Sequence, residues 1–188
     1  MNDIYKTFTP DQRYEEIQFR SGKGLQSREL NDMQAQLAHQ IDSIGDAVFK
    51  DGDLIGGGDL VIDENAEGLG PDQVKLILNE GTVYLQGMVR VIPADELIVS
   101  SIGTIDIGVD ITRETVTELE DPDLRDPAVG TRNYQEPGAV RRKYTIGWEK
   151  AGDNVGEFFP IHKIDNGVLI QTAPPPQMDN VTQALARY

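Results

Sequence analysis

The chain has 188 residues, 32 Asp and Glu against 17 Lys and Arg, a net charge of −15 and no cysteine. That length supports one substantial core or two small ones. The missing thiols exclude disulfides, thiolate metal sites and cysteine nucleophiles, and the acidic balance argues against binding naked nucleic acid or anionic lipid, since phosphate repels it.

The charge is uneven. Residues 42–72 carry nine acids and one base (−8), residues 95–126 ten acids and two bases (−8), and residues 132–150 five bases and two acids (+3). No run of about 18 apolar residues exists to form a membrane-inserted helix. The opening MNDIYKTFTPDQRYEEIQF is polar and acidic and does not read as a secretory signal.

In chain order, residues 1–26 read as an irregular tethered arm, with Phe8, Tyr14, Ile17 and Phe19 spaced among polar residues as pins onto another surface. Ser27 is the expected helix N-cap, with Glu29 in the first turn. Leu30, Met33, Leu37, Ile41, Ile44 and Val48 then recur with a mean spacing near that of a straight amphipathic helix. A heptad frame from Leu30 would place Gln40 and Ala47 in the seam, so a strict coiled coil is not expected. The apolar stripe is expected to pack on a sheet in the core or, as the second option, on a neighbouring chain. Residues 49–53 (FKDGD) should end the helix.

The remainder reads as β. DLIGGGDLVID is a strand broken by three glycines. Val74, Leu76 and Leu78 alternate, Asn79-Glu80-Gly81 is a turn, and Val83, Leu85, Val89 and Val91 follow at period two, interrupted at Gly87: a hairpin is predicted across that turn. Residues 97–118 alternate again. Residues 118–142 carry Pro122, Pro127, Pro137, Gly130 and Gly138, too long a stretch for a simple connector, and Asp121, Asp123, Arg125 and Asp126 are expected to form ion pairs within it. Strands resume at 143–149, and residues 158–164 should pair with 168–172 across Asp165-Asn166-Gly167, a favoured hairpin turn. The expected fold is α+β, mainly antiparallel β with one N-terminal amphipathic helix. The expected division is 1–50 (anchoring arm and helix), 51–173 (β-rich domain with the 118–142 loop) and 174–188 (a Pro-rich start of a linker to a distal fibre region, with the natural chain continuing beyond Tyr188).

Nothing in the sequence singles out a catalytic centre. His39 and His162 are the two histidines, neither lies in a nucleophile motif, and they are read as ordinary surface or strand residues. Asp63, Asn65, Glu67 and Gly68 match the first half of an EF-hand loop, but its twelfth position is Val74 rather than Glu, so a polar turn is the better account. Gly22-Lys23 lacks the leading glycine of a P-loop, and Gly56 to Gly58 are read as a strand bend. Trp148, in a strand beside Gly147, is read as core or interface. No enzyme activity, catalytic residue, metal or cofactor is therefore expected.

Two stretches carry a resemblance. They are FRSGKGLQSRELNDMQAQLAHQIDSIGDAVFKDGDLIGGG at 19–58 and VTELEDPDLRDPAVGTRNYQEPGAVRRKY at 116–144. Together they resemble an uncharacterised family of tail-fibre and baseplate-associated proteins of tailed phages and prophages. The shared marks are an "LQ…ELN…Q" helix, a glycine-broken strand and a DP-x-L-x-DP-A-x-G-x-x-N loop ending in PGA. The resemblance implies a structural virion protein, made in the bacterial cytoplasm and assembled at the phage tail, forming the N-terminal part of a fibre attached to the baseplate. By analogy with tail fibres it implies a homotrimer whose distal region contacts the host surface. Phe8, Tyr14, Phe19, Leu25, Leu30 and Leu37 are the expected anchoring contacts, and Asp121, Arg125, Asp126 and Tyr134, within 121–138, a second contact surface. The alternative is a carbohydrate-binding or depolymerase module on the host surface, with Trp148, Tyr134 and Tyr144 stacking on sugars.

Overall fold

The computed structural model describes residues 4–172. The linker expected at 174–188 lies outside them. A 3-10 turn, Pro10–Gln12, interrupts an otherwise irregular N-terminal arm. Among the described residues one α-helix, α1, runs Ser27–Asp46. Ten strands follow: β1 Leu54–Gly57, β2 Leu60–Asp63, β3 Gln73–Leu78, β4 Gly81–Leu85, β5 Met88–Ile92, β6 Asp95–Ser100, β7 Thr104–Val116, β8 Arg141–Lys150, β9 Glu157–Asp165 and β10 Val168–Thr172. They form three sheets in the orders β1-β4-β5, β2-β3-β6 and β10-β9-β7-β8. The pairings within the last two are antiparallel. This is the mainly antiparallel α+β class with one N-terminal helix that the periodicities predict. The helix is not long and apolar enough to cross a membrane.

Two expectations about local geometry are corrected. Gln26, not Ser27, occupies the N-cap position, and the Glu29 carboxylate accepts from its backbone N–H at 3.3 Å; Ser27 is the first helical residue. The hairpin across Asn79-Glu80-Gly81 does not form. β3 pairs with β2 and β6, while β4 pairs with β1 and β5, so the chain changes sheet at that turn. The physical reason is β3's alternate burial: Val74, Leu76 and Leu78 lie in a core that β6 completes through Val99. Two strands of like period do not declare which neighbour each will take. β4 instead turns straight into β5 through Gln86-Gly87, both at positive φ (52° and 78°), the geometry of a two-residue hairpin loop.

The chain divides into two compact units. One comprises residues 4–55 with Val83–Arg90; the other comprises 56–82 with 91–172. In the second, β7 is the spine, pairing with β8 over its whole C-terminal part and with β9 across a bulge between Ile107 and Gly108. Ile107, Val109, Ile111, Trp148, Ile161 and Ile164 are buried along these strands. The β9–β10 hairpin forms as the Asn-Gly turn predicts, with Val168 opposite Asp165 and both turn residues at positive φ.

Candidate interaction surface

Helix α1 presents three different faces. The first meets the β4–β5 hairpin and is made of small and polar residues. Tyr84, almost fully buried, donates from its hydroxyl to Asp46 Oδ1 at 2.7 Å, and its ring lies 5.3 Å from that of Phe49. Gly45 makes this approach possible: a Cβ there would overlap the Tyr84 hydroxyl and ring. Gly87, at the hairpin tip, is held as closely against the Asp42 side chain. Burial, then the hydrogen bond and charge of Asp46, push the Tyr84 phenol well above its ordinary value, because ionisation would place a second negative charge in a closed space.

The second face holds the arm, and it does so with polar side chains. Asp32 accepts from Thr7 N–H at 2.7 Å and Phe8 N–H at 2.9 Å on one oxygen, and from the Thr7 hydroxyl at 2.6 Å on the other. Those bonds, the Thr7 hydroxyl first, hold the Asp32 carboxyl below the ordinary carboxylate range. Asn31 Nδ2 donates to the Tyr5 carbonyl at 2.9 Å, and the buried Gln36 donates from Nε2 to the Tyr14 carbonyl at 2.5 Å. Phe8 sits half-buried with its ring 6.0 Å from that of His39. The arm is thus fastened by its backbone, and most of its large side chains remain outside: Tyr5, Tyr14, Phe19 and Leu25 are all exposed.

The third face is the apolar stripe, and it is not in the core. Leu37 is 54% exposed, Ile41 62% and Ile44 72%, with Leu30 also exposed and Met33 partly so. The expectation that this stripe packs on a sheet is overturned. The hairpin needs close backbone approach, which Gly45 permits and Leu or Ile side chains would prevent. The arm needs acceptors and donors, which Asn31, Asp32 and Gln36 supply. The apolar side chains are left to the remaining face.

Of the six expected anchoring residues, the structure brings Phe8 onto the helix and leaves Tyr14, Phe19, Leu25, Leu30 and Leu37 on the outside of the same unit. Sequence reasoning missed Asn31, Asp32 and Gln36 as the arm's partners, since bonds spanning 22 to 26 residues leave no local signature. Gly45 had a findable signal, as a glycine inside a helical pattern often marks a close approach.

In the other unit, the 118–142 segment folds on itself. Asp126 N–H donates to the Glu136 carbonyl and Gln135 N–H returns to the Asp126 carbonyl, while Arg125 bridges Pro137 and Gly138 N–H reaches the Leu124 carbonyl. Arg125 Nη1 donates to the Gln135 carbonyl at 3.0 Å. The ion pairs among the described residues lie elsewhere. The expected internal ion pairs are therefore replaced by backbone bonds, which a two-stranded loop supplies itself. Asp121 caps its 3-10 turn by accepting from Asp123 N–H, and Asp126 accepts from Ala128 N–H. Tyr134 is exposed. Asp121 and Tyr144 also line a cleft of about 840 Å³ with Glu114, Glu120, Arg141 and Lys143. Glu120 accepts from the Thr117 hydroxyl and N–H, which lowers its pKa.

His162 lies in β9, as the strand reading has it, and is buried there. Its ring bridges the Gly58 carbonyl (2.9 Å from Nε2) and the Thr172 hydroxyl (3.2 Å from Nδ1) and lies 5.8 Å from the Trp148 ring. Burial lowers its pKa, against a smaller opposing pull from the Gly58 carbonyl. Trp148 is 3% exposed, which removes it from any sugar-stacking surface. Asp63 accepts from Asn65 N–H at 2.9 Å, the geometry of an Asx turn. No cluster of three or more metal-ligating side chains occurs among the described residues.

No curated protein matches the chain. Among solved structures, a chain of "The baseplate complex from the type VI secretion system" is similar at 12% identity and a TM-score of 0.40, over 98% of this chain and 47% of its own length, so this chain spans about half of that one. A family model described as "Domain of unknown function (DUF4815)" matches residues 3–188, and the chain belongs to that family.

Proposed function

We propose that this chain is a structural virion protein, the N-terminal part of a bacteriophage tail fibre that attaches the fibre to the baseplate. It is made in the host cytoplasm and acts without catalysis. Its copies form a homotrimer, the arm and helix make the anchoring contact, and the 121–138 segment makes a second contact with baseplate or tail proteins. One observation supports this most: α1 spends its polar side chains on fastening the arm and leaves the apolar ones of both outside. Exposed apolar area gathered on one compact unit is the mark of a surface that another protein covers. The stretches at 19–58 and 116–144 supply the phage-tail context, and the first of them contains this helix.

Immunogold electron microscopy of the parent virions, with antibody to the native protein, tests the reading. Gold at the tail tip or fibre base is expected. Gold confined to distal fibre tips, or intact particles without gold, would overturn it.

A second reading, a host-surface carbohydrate-binding or depolymerase module, draws on the cleft beside Tyr144. An exposed aromatic ring among acids and bases is a surface on which sugars stack and hydrogen-bond. Glycan-array binding lost in Tyr144→Ala would favour it over the fibre reading.

A further inference from the structure

We infer that the exposed stripe of α1 is a self-association seam, on which the same helix of a second copy packs parallel and in register. The spacing carries the first part of the argument. Leu30, Met33 and Leu37 are followed eleven residues later by Ile41 and Ile44 in the places of Leu30 and Met33. Eleven residues fill three turns at about 3.67 residues per turn, so such a stripe runs almost straight along the helix and faces a like stripe without the left-handed coiling a heptad imposes. α1 has 20 residues, about 30 Å of axis, enough to present the whole seam.

Charge carries the second part. Two copies of a chain at −15 repel each other wherever acids meet. Along α1 the residues bordering the seam are Gln34 and Gln40, which are uncharged, and Glu29 in the first turn, whose carboxylate accepts from the Gln26 N–H. Arg28, Asp32, Asp42 and Asp46 all fall on the other faces, and Asp32 and Asp46 are engaged with the arm and with Tyr84. A basic partner would find a single acid at the edge of this stripe, Glu29, already bonded to the helix's own N-terminus. An identical apolar stripe, with no charge along its middle, is the surface that fits. The parallel direction rests on the fibre reading, because copies related by a rotation axis along a fibre point the same way.

The test uses the full chain. Light scattering is expected to give a whole multiple of the monomer mass for the native protein. The same measurement should give one monomer for the Ile41→Asp, Ile44→Asp double variant, with an unchanged circular dichroism spectrum. Because the chain has no cysteine, Ile44→Cys introduces a lone thiol that should form a disulfide-linked dimer on mild oxidation. A native protein that stays monomeric at every concentration, or Ile44→Cys that fails to cross-link, overturns the inference. So does preferential cross-linking of Ile44→Cys to Leu30→Cys in a mixture, which an antiparallel pair would give. Cross-linking of Ile44→Cys with no gold on the virion would remove the fibre reading and leave the seam standing. Gold at the fibre base with a monomeric chain would do the reverse.

Discussion

Asp32 holds Thr7 and Phe8 from 25 and 24 residues away, taking both backbone N–H groups on one oxygen and the Thr7 hydroxyl on the other. A chain segment without regular structure of its own is thereby given a fixed path along a helix. Fixing its backbone while leaving Tyr5, Tyr14 and Phe19 outside makes the arm a contact element whose conformational entropy is lost on folding rather than on binding.

Replacing Asp32 with Ala should release the arm. Trypsin cleavage at Arg13, Arg20 and Lys23 should speed up, and amide exchange at Thr7 and Phe8 should lose its protection, while the β sheets keep theirs. The pH dependence follows from the lowered carboxyl. A group whose folded pKa lies below its unfolded value stabilises fully above that value, here 3.8, and stops doing so as pH falls through the folded one. Arm protection should therefore persist at neutral pH, begin to weaken below pH 3.8 and be lost as pH falls through the folded value. Protection that survives in Asp32→Ala would show that the clasp does not hold the arm.

Gly45→Ala tests the helix–hairpin approach. Alanine improves helix propensity by about 1 kcal/mol, but its methyl meets the Tyr84 ring, and overpacking of a buried contact costs about 1–3 kcal/mol. The net effect should be destabilising. In a Tyr84→Ala background the same substitution should become neutral or favourable, since the obstructing ring is gone. Denaturant midpoints of the four proteins would show this, and additive effects would count against the contact.

Tyr84 also predicts behaviour at high pH. Its phenol is raised above 10.0, so its contribution to stability is complete below pH 10 and is lost as pH rises through the folded value. Of the six tyrosines, one should ionise late in an ultraviolet titration and only as the helix unfolds. Tyr84→Phe should remove that late step and cost about 1.5–3 kcal/mol, the usual range for a hydrogen bond to a carboxylate.

His162 gives the opposite pH window in the other unit. Its folded pKa lies below 6.5, so the unfolded chain binds the proton more readily, and stability falls as pH drops from 6.5 towards the folded value. Histidine ring resonances should show one imidazole that stays neutral to lower pH, with Asp59 the charged group drawing it back. His162→Gln should flatten the stability profile below pH 6.5. An unchanged profile would assign that slope to other groups.

Arg125→Ala should loosen the 118–142 segment. It removes the bond to the Gln135 carbonyl beside the Arg125–Pro137 bridge, worth about 0.5–1.5 kcal/mol. Limited proteolysis within 126–136 should accelerate with little change in the unfolding midpoint.

Local periodicity determined much of this protein. A 3.6-residue recurrence made 27–46 a helix, alternation marked most of the strands, and Asn166-Gly167 specified its own hairpin. These are near-neighbour effects, set by backbone geometry and by which side chains share a face. Partner choice was decided only in three dimensions. β3 and β4 have compatible patterns and a turn between them, yet the core closed by Val99 drew β3 to β6, and Gln86-Gly87 drew β4 to β5. His162 gave no sign of being buried, because burial in a sheet depends on what stacks over it. The same holds for α1. Its sequence states that one stripe is apolar, but which face meets the rest of the chain depends on how closely a backbone can approach and where donors need acceptors. Gly45 and Asp32 settle that, and the stripe is left facing outward.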